Sequence, residues 1–147
     1  MSKLTIAMIA HDSKKEDMVQ FTKQHREALK DANIIATRNT GHLIQERTGL
    51  TVTLLQSGAM GGDLQIGAMV ANGMVDAVIF LHDPLKAQKH EPEIAGLLRV
   101  CSVHNIPIAI NLSSAVAVLH LITEHPVCPG KLLQSHMPER VEAVLCK

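Results

Sequence analysis

The 147-residue chain carries 14 Lys and Arg against 14 Asp and Glu, and this zero net charge argues against a general nucleic-acid or membrane-surface binder, which would show a basic excess. Hydrophobic residues make up 46% of the chain and charged residues 19%, which excludes a disordered chain and predicts one globular domain. Trp and Tyr are absent and only two Phe are present, so we expect an aliphatic core.

Strand and helix patterns alternate along the chain. Short apolar runs that end in polar residues predict buried strands at residues 4–10, 34–37, 51–55, 75–81 and 106–110. The segments between and after them predict helices at residues 15–30, 41–48, 63–72, 92–104 and 113–124. Five such units predict an α/β fold: a single-domain three-layer sandwich, with a five-stranded parallel sheet between two layers of helices.

The predicted domain spans residues 1–124. Residues 125–147 begin with a cluster of Pro, Gly and Cys and are expected to form a C-terminal tail with at most a short helix. No secretion signal is recognisable, because only seven mostly apolar residues follow Lys3 before His11 and Asp12. No membrane-spanning segment is recognisable either, because the longest apolar region, residues 106–122, is interrupted by polar side chains. Three widely spaced cysteines are most simply free thiols, so we expect a cytoplasmic protein.

The most informative segment is the turn from Ser57 to Asp63, which separates a predicted strand from a predicted helix. Its serine and three glycines allow backbone N–H groups to approach an anion. A carboxylate beside such a site would repel phosphate unless it had a chemical task, which suggests Asp63 as a base next to a phosphorylated substrate. The alternative is that Asp63 is only the N-cap of the following helix.

Other polar residues also follow the predicted strands, where ligands bind in parallel sheets. Donors suited to phosphate are Lys15, Thr37, Asn39, Thr40, Ser57 and the amides around Gly41 and Gly58. Candidate acids, bases and proton carriers are His11, Asp12, Asp63, Asp83, His90 and Glu93. Taken singly, Asp12 would also suit a helix cap and Asp83 an ordinary turn. Neither a nucleotide-binding glycine motif nor a metal-ligand spacing is present, so we expect no cofactor and no metal.

Five motifs occur in one order: Ile9-Ala10-His11-Asp12, Thr37-x-x-Thr40-Gly41, Ser57-Gly58-x-Met60-Gly61-Gly62-Asp63-x-Gln65, Asp83-Pro84-Leu85 and His90-Glu91-Pro92. Together they resemble the methylglyoxal synthase family, over about residues 4–119. The resemblance implies the fold predicted above, assembled as a homohexamer. It implies conversion of dihydroxyacetone phosphate to methylglyoxal and inorganic phosphate, without metal or organic cofactor, and makes phosphate a candidate inhibitor as well as a product.

The resemblance also implies roles for individual residues. Asp63 matches the base that forms an enediolate, and His90 matches an imidazole that stabilises it. Further acids of the site are Asp12, Asp83 and Glu93. Positions that match substrate-binding residues, or belong to the phosphate loop, are His11, Lys15, Thr37, Arg38, Asn39, Thr40, Ser57, Gly58 and His90.

Three departures from the family pattern concern the phosphate loop or an acid of the site. Arg38 replaces a glycine of the phosphate loop, which would be costly at positive φ, and Asn39 replaces a hydroxyl with an amide. Arg38 would either contact phosphate or project into solvent. Glu93 replaces an aspartate and moves its carboxylate out by one methylene. These departures leave an alternative function, a catalytically silent phosphate-ligand-binding or regulatory domain of the same fold.

Overall fold

The computed structural model describes residues 3–86 and 91–124. The strands are β1 (Thr5–Ala10), β2 (Asn33–Ala36), β3 (Val52–Leu54), β4 (Ala77–Leu81) and β5 (Ile108–Ala109). The helices are α1 (Lys15–Gln24), α2 (Arg26–Leu29), α3 (Arg38–Thr48), α4 (Gly62–Ala71), α5 (Glu91–Val103) and α6 (Leu112–Glu124). The predicted tail, residues 125–147, lies outside the described part of the chain.

The five strands form one parallel sheet in the order β3-β2-β1-β4-β5. Strand β1 is central, with Ala7 opposite Ile35 of β2 and Ala10 opposite Leu81 of β4. The chain builds outward from β1 on one side and then crosses to β4 on the other, so the order of the strands reverses between β1 and β4. A reversal of this kind opens a crevice at the carboxyl ends of the strands, where ligands bind in such folds.

Helices cover both faces of the sheet. Buried residues of α1, α2, α3 and α6 pack with one face, and those of α4 and α5 pack with the other. The chain's two phenylalanines pack on opposite faces of the sheet, Phe21 of α1 in the first core cluster and Phe80 of β4 in the second. Burying such a side chain contributes about 1.5–3 kcal/mol. The parallel sheet with helices on both faces confirms the predicted three-layer α/β sandwich.

Some element boundaries differ from the predicted ones. The predicted helix 15–30 is broken at His25, whose backbone (φ −112°, ψ 23°) is not helical. Strand β5 has only two residues, because Pro107 can accept a hydrogen bond from Val78 N–H but has no N–H to donate. Helix α3 begins at Arg38 rather than at residue 41, since Thr37 already has the extended conformation of an N-cap (φ −61°, ψ 150°).

Gly41 therefore lies inside α3 rather than in a loop before it. A Cβ at this position would overlap the side chain of Leu54 on β3, so the glycine allows the helix to approach the sheet closely. This close approach fixes the first turn of α3 beside the carboxyl ends of β1 and β3. In residues 3–86 and 91–124, no helix is long and apolar enough to cross a membrane.

Candidate functional site

A cavity of about 210 Å³ opens at the carboxyl ends of β1, β2 and β3. Its lining combines seven of the residues proposed from the sequence with three neighbours: Ile9, Ala10, His11, Asp12, Lys15, Thr37, Asn39, Ser57, Gly58 and Ala59. These residues come from the first half of the chain and meet because parallel strands all end at the same edge of the sheet. The volume suits a small molecule, and the lining is rich in groups that bind an anion.

His11 links the two central strands at the reversal point. The backbone N–H of His11 donates to the carbonyl of Leu81 (3.2 Å), and Nδ1 of its ring accepts from the backbone N–H of Asp83 (3.0 Å). His11 is 4% exposed, and its imidazole packs edge-on against Phe80, with ring centroids 5.2 Å apart. The ring is thus held in one orientation at the wall of the cavity.

Lys15 supplies a positive charge to the cavity. Its Nζ donates to Asp12 Oδ1 (2.7 Å) and to the carbonyl of Ala10 (3.0 Å), which fixes the ammonium at the end of β1. Lys15 lowers the pKa of Asp12, mainly through this hydrogen bond and secondly through its positive charge. The Asp12 side chain is 94% exposed. Asp12 is therefore an ionised partner of Lys15 at the cavity mouth.

The start of α3 forms a second wall. Thr37 and Asn39 line the cavity, whereas Thr40 is buried beneath it and its Oγ1 donates to the carbonyl of Ala10 (3.5 Å). The first N–H groups of a helix have no acceptor within the helix and attract anions. This end of α3 therefore suits a phosphate.

Arg38 is the first residue of α3, with its side chain exposed and outside the lining of the cavity. Its backbone N–H donates to the carbonyl of Gln56 (3.3 Å). Asn105 is the one non-glycine residue with positive φ in the described part of the chain, so Arg38 carries no such strain. The arginine fits here because this position is helical and needs no glycine.

The turn from Ser57 to Asp63 forms the third wall. The Ser57 carbonyl accepts from Met60 N–H (3.0 Å) and Gly62 N–H (2.8 Å), which folds residues 58–60 into a single 3-10 turn. Gly61 then has φ 96°, a conformation that favours glycine, and is the N-cap of α4. Ser57, Gly58 and Ala59 face the cavity as a consequence.

Asp63 is the second residue of α4, so the alternative that it serves as the N-cap is wrong. The residue is 2% exposed, and its Oδ1 accepts from the backbone N–H of Leu64 (3.1 Å). Oδ2 has no hydrogen-bond partner among the described residues. Asp63 is not itself part of the cavity lining, which reaches the preceding turn. An unsatisfied buried carboxylate oxygen is costly, which points to a functional role.

The Asp83 carboxylate lies outside the cavity lining and is held within its own loop. Oδ2 accepts from Ser13 Oγ (2.5 Å) and Oδ1 accepts from Leu85 N–H (3.0 Å). The pKa of Asp83 is lowered, first by the hydrogen bond from Ser13 and then by the bond from the backbone of Leu85. The sequence places Ser13 in a strand-end loop, but its partnership with a residue 70 positions away was not predictable from spacing.

Two predicted residues remain. His90 and the side chain of Glu93 fall outside the described part of the chain, so their predicted roles stay predictions. Within the described residues, no group of three or more His, Cys, Asp and Glu side chains is arranged to hold a metal ion.

Comparison with known proteins agrees with this architecture. The model of the MGS-like domain family matches residues 17–110. The chain is 51% identical over 123 residues to a methylglyoxal synthase of Moorella thermoacetica, covering 84% of this chain and 96% of the relative. It is 50% identical over 121 residues to that of Bacillus subtilis, covering 82% and 88%. The crystal structure of methylglyoxal synthase from Elizabethkingia anophelis superposes with a TM-score of 0.78 at 38% identity, covering 93% of this chain and 94% of that one. Identity at this level over most of both chains shows that the chain belongs to the methylglyoxal synthase family.

Proposed function

We propose that the protein is a carbon–oxygen lyase that converts dihydroxyacetone phosphate to methylglyoxal and inorganic phosphate, with Asp63 as the base. The observation that carries this proposal is the buried carboxylate of Asp63, with one oxygen unpartnered among the described residues, directly after a turn that lines an anion-binding cavity. A purely phosphate-binding domain has no need for such a group. Membership of the methylglyoxal synthase family supports the same reaction.

In the first step, the Asp63 carboxylate removes a proton from the hydroxymethyl carbon beside the ketone. The electron pair of that C–H bond moves into the carbonyl and gives an enediolate. Hydrogen-bond donors at the cavity wall, of which His11 is one, stabilise the negative oxygen. His90 is proposed as a further imidazole in this role.

In the second step, the enediolate expels the phosphate. The hydroxyl group on the deprotonated carbon loses its proton and becomes the aldehyde C=O, the C=C electron pair moves to form a new C=C bond to the phosphate-bearing carbon, and the bridging C–O bond breaks with its electron pair leaving on the phosphate. The resulting enol becomes methylglyoxal when its methylene carbon takes up a proton and its enol oxygen ends as the ketone. This elimination requires the C–O bond to lie out of the enediolate plane. The phosphate donors would therefore set the orientation of the bond as well as the affinity.

The proposed phosphate site is formed by Lys15, the start of α3 at Thr37 and Asn39, and the turn at Ser57 and Gly58. Its ammonium and amide donors stabilise a leaving group whose charge grows during elimination. Inorganic phosphate would bind the same donors after turnover, so it is also proposed as an inhibitor. The helical conformation of Arg38 removes the strain that had favoured a silent domain.

The assembly and location of the protein are part of the same proposal. Large apolar side chains stand exposed on this single chain, among them Leu85 (96%) and Met60 (74%), as expected if copies cover one another. A homohexamer in the cytoplasm is proposed, in keeping with the sequence resemblance and with the free, buried thiol of Cys101.

The direct test is incubation of the purified protein with dihydroxyacetone phosphate, with methylglyoxal and inorganic phosphate measured separately. The proposal predicts equal amounts of the two products at a rate well above the spontaneous reaction. Binding of phosphate without turnover would contradict the lyase function and establish the silent alternative.

A further inference from the structure

His11 has a hydrogen-bonding arrangement that determines which nitrogen carries its proton. The N–H of Asp83 points its hydrogen at Nδ1, with 3.0 Å between the two nitrogens. A nitrogen can accept this bond only through its lone pair, so Nδ1 must be unprotonated. The proton of the neutral ring then resides on Nε2.

The same bond disfavours the imidazolium form. Protonation of Nδ1 would place two N–H groups head to head at this distance. The residue is 4% exposed, and burial disfavours a charge, while the carboxylates of Asp12 and Asp83 act in the opposite direction. A 180° flip of the ring would place a carbon where Nδ1 now accepts and would lose the hydrogen bond from Asp83 N–H.

The N–H of Asp83 is itself held in place by a small network. Ser13 Oγ donates to one carboxylate oxygen of Asp83, and the N–H of Leu85 donates to the other. Ser13 follows β1 and Asp83 follows β4, so the Ser13 bond ties the loops of the two central strands together. The lowered pKa of Asp83 keeps the carboxylate ionised as the acceptor of both bonds.

We infer that Ser13 and Asp83 are positioning residues, which hold His11 as a neutral imidazole that donates through Nε2–H at the wall of the cavity. This inference rests on the proposed function, in which the cavity binds a ketose phosphate. A neutral imidazole N–H is a sufficient donor to polarise a substrate carbonyl. Asp83 acts here through its backbone and its loop rather than as an acid.

The first test is nitrogen NMR of the ligand-free protein labelled with ¹⁵N-histidine, at about pH 8, which is above the ordinary imidazole pKa of about 6.5. The His11→Asn variant identifies the His11 signals. We expect an unprotonated Nδ1 and a protonated Nε2. A proton on Nδ1, or on both nitrogens, would overturn the inference. Because no substrate is present, this result is independent of whether the protein turns over dihydroxyacetone phosphate.

The second test is the Ser13→Ala variant, compared with Ser13→Thr and with Ser102→Ala as a matched control on the exposed surface of α5. Loss of one hydrogen bond predicts a fall of about 3- to 10-fold in kcat for Ser13→Ala, with a smaller change in KM. The Nδ1-protonated form of His11 should become detectable in that variant. Ser13→Thr retains the hydroxyl and should restore both properties, while Ser102→Ala should leave both unchanged. Wild-type kcat and an unchanged tautomer in Ser13→Ala would remove Ser13 from the proposed role.

Discussion

Gly62 lies so close to Gln56 that a methyl group on its Cα would overlap the Gln56 carbonyl oxygen, and it would also meet Thr37 Cγ2 at 3.0 Å. This contact holds the start of α4 against the end of β3 and so sets the position of Asp63. We predict that Gly62→Ala lowers the free energy of unfolding by about 1–3 kcal/mol. It should lower kcat by at least about 10-fold, since a shift of about 1 Å in a catalytic group can cost about 100-fold.

The control for this variant is Gly67→Ala in the same helix. A Cβ at Gly67 meets no atom within 4 Å, and alanine favours helix by about 0.5–1 kcal/mol over glycine. Urea unfolding should therefore show Gly67→Ala to be as stable as the wild type or more so, with normal activity. Equal stability and activity for Gly62→Ala would contradict the close contact.

Lys15 is predicted to contribute mainly to the affinity for the phosphate group. The Lys15→Met variant keeps much of the side-chain volume but removes a charged hydrogen-bond donor. Loss of such a bond costs about 1.5–3 kcal/mol, so KM should rise roughly 10- to 100-fold. Inhibition by inorganic phosphate should weaken in parallel. Lys23→Met, at an exposed position of α1, is the charge-matched control. An unchanged KM in Lys15→Met would place the phosphate elsewhere.

The neighbours Arg38 and Asn39 are predicted to differ in their effect on substrate binding. Asn39 lines the cavity, so Asn39→Ala should raise KM by about 5-fold, the typical effect of one lost hydrogen bond. Arg38 is exposed and outside the lining, so Arg38→Ala should change KM by less than about 2-fold. Steady-state kinetics measure both values. A larger loss at Arg38 would show that its guanidinium reaches the phosphate.

The ion pair of Asp12 predicts a pH dependence of stability. Because Lys15 lowers the pKa of Asp12 below the ordinary 3.8, the folded state binds the proton less tightly than the unfolded state. The stabilisation is therefore complete above the ordinary pKa and is lost as the pH falls through the lower, folded-state value. It is small, since the Asp12 side chain is exposed. Denaturation curves of the wild type and Asp12→Asn should differ at pH 7 and converge as the pH falls below the ordinary value of 3.8; a gap that widens in acid would contradict this.

Much of the fold could be predicted from the sequence, because apolar runs and their polar ends report buried parallel strands directly. The Ser57–Asp63 turn could also be predicted, since its glycines and its acid lie within seven consecutive residues of the chain. The start of α3 could not be predicted. An arginine in place of a family glycine suggested a strained loop, whereas the conformation at that position is helical. Sequence could not show which helical position Asp63 occupies, as Gly61 and Asp63 are both acceptable N-caps.

Contacts between loops that are distant in the chain could not be predicted from the sequence either. Asp83 looked like an acid of the site, yet the cavity lining does not include it and its carboxylate binds Ser13 and Leu85. Its N–H contact with His11 depends on β1 and β4 being neighbours, although they are separated by two other strands in the chain. Only the order of the strands in the sheet reveals this pairing.

The central claim is that Asp63 is the base, and the Asp63→Asn variant tests it most directly. Asparagine keeps the shape of the side chain but cannot take the proton, so we expect kcat for methylglyoxal formation to fall by about 100- to 10,000-fold. The variant should keep the fold, as judged by circular dichroism and thermal unfolding. A folded Asp63→Asn protein with kcat within about 10-fold of the wild type, well short of the loss expected for a general base, would contradict the account.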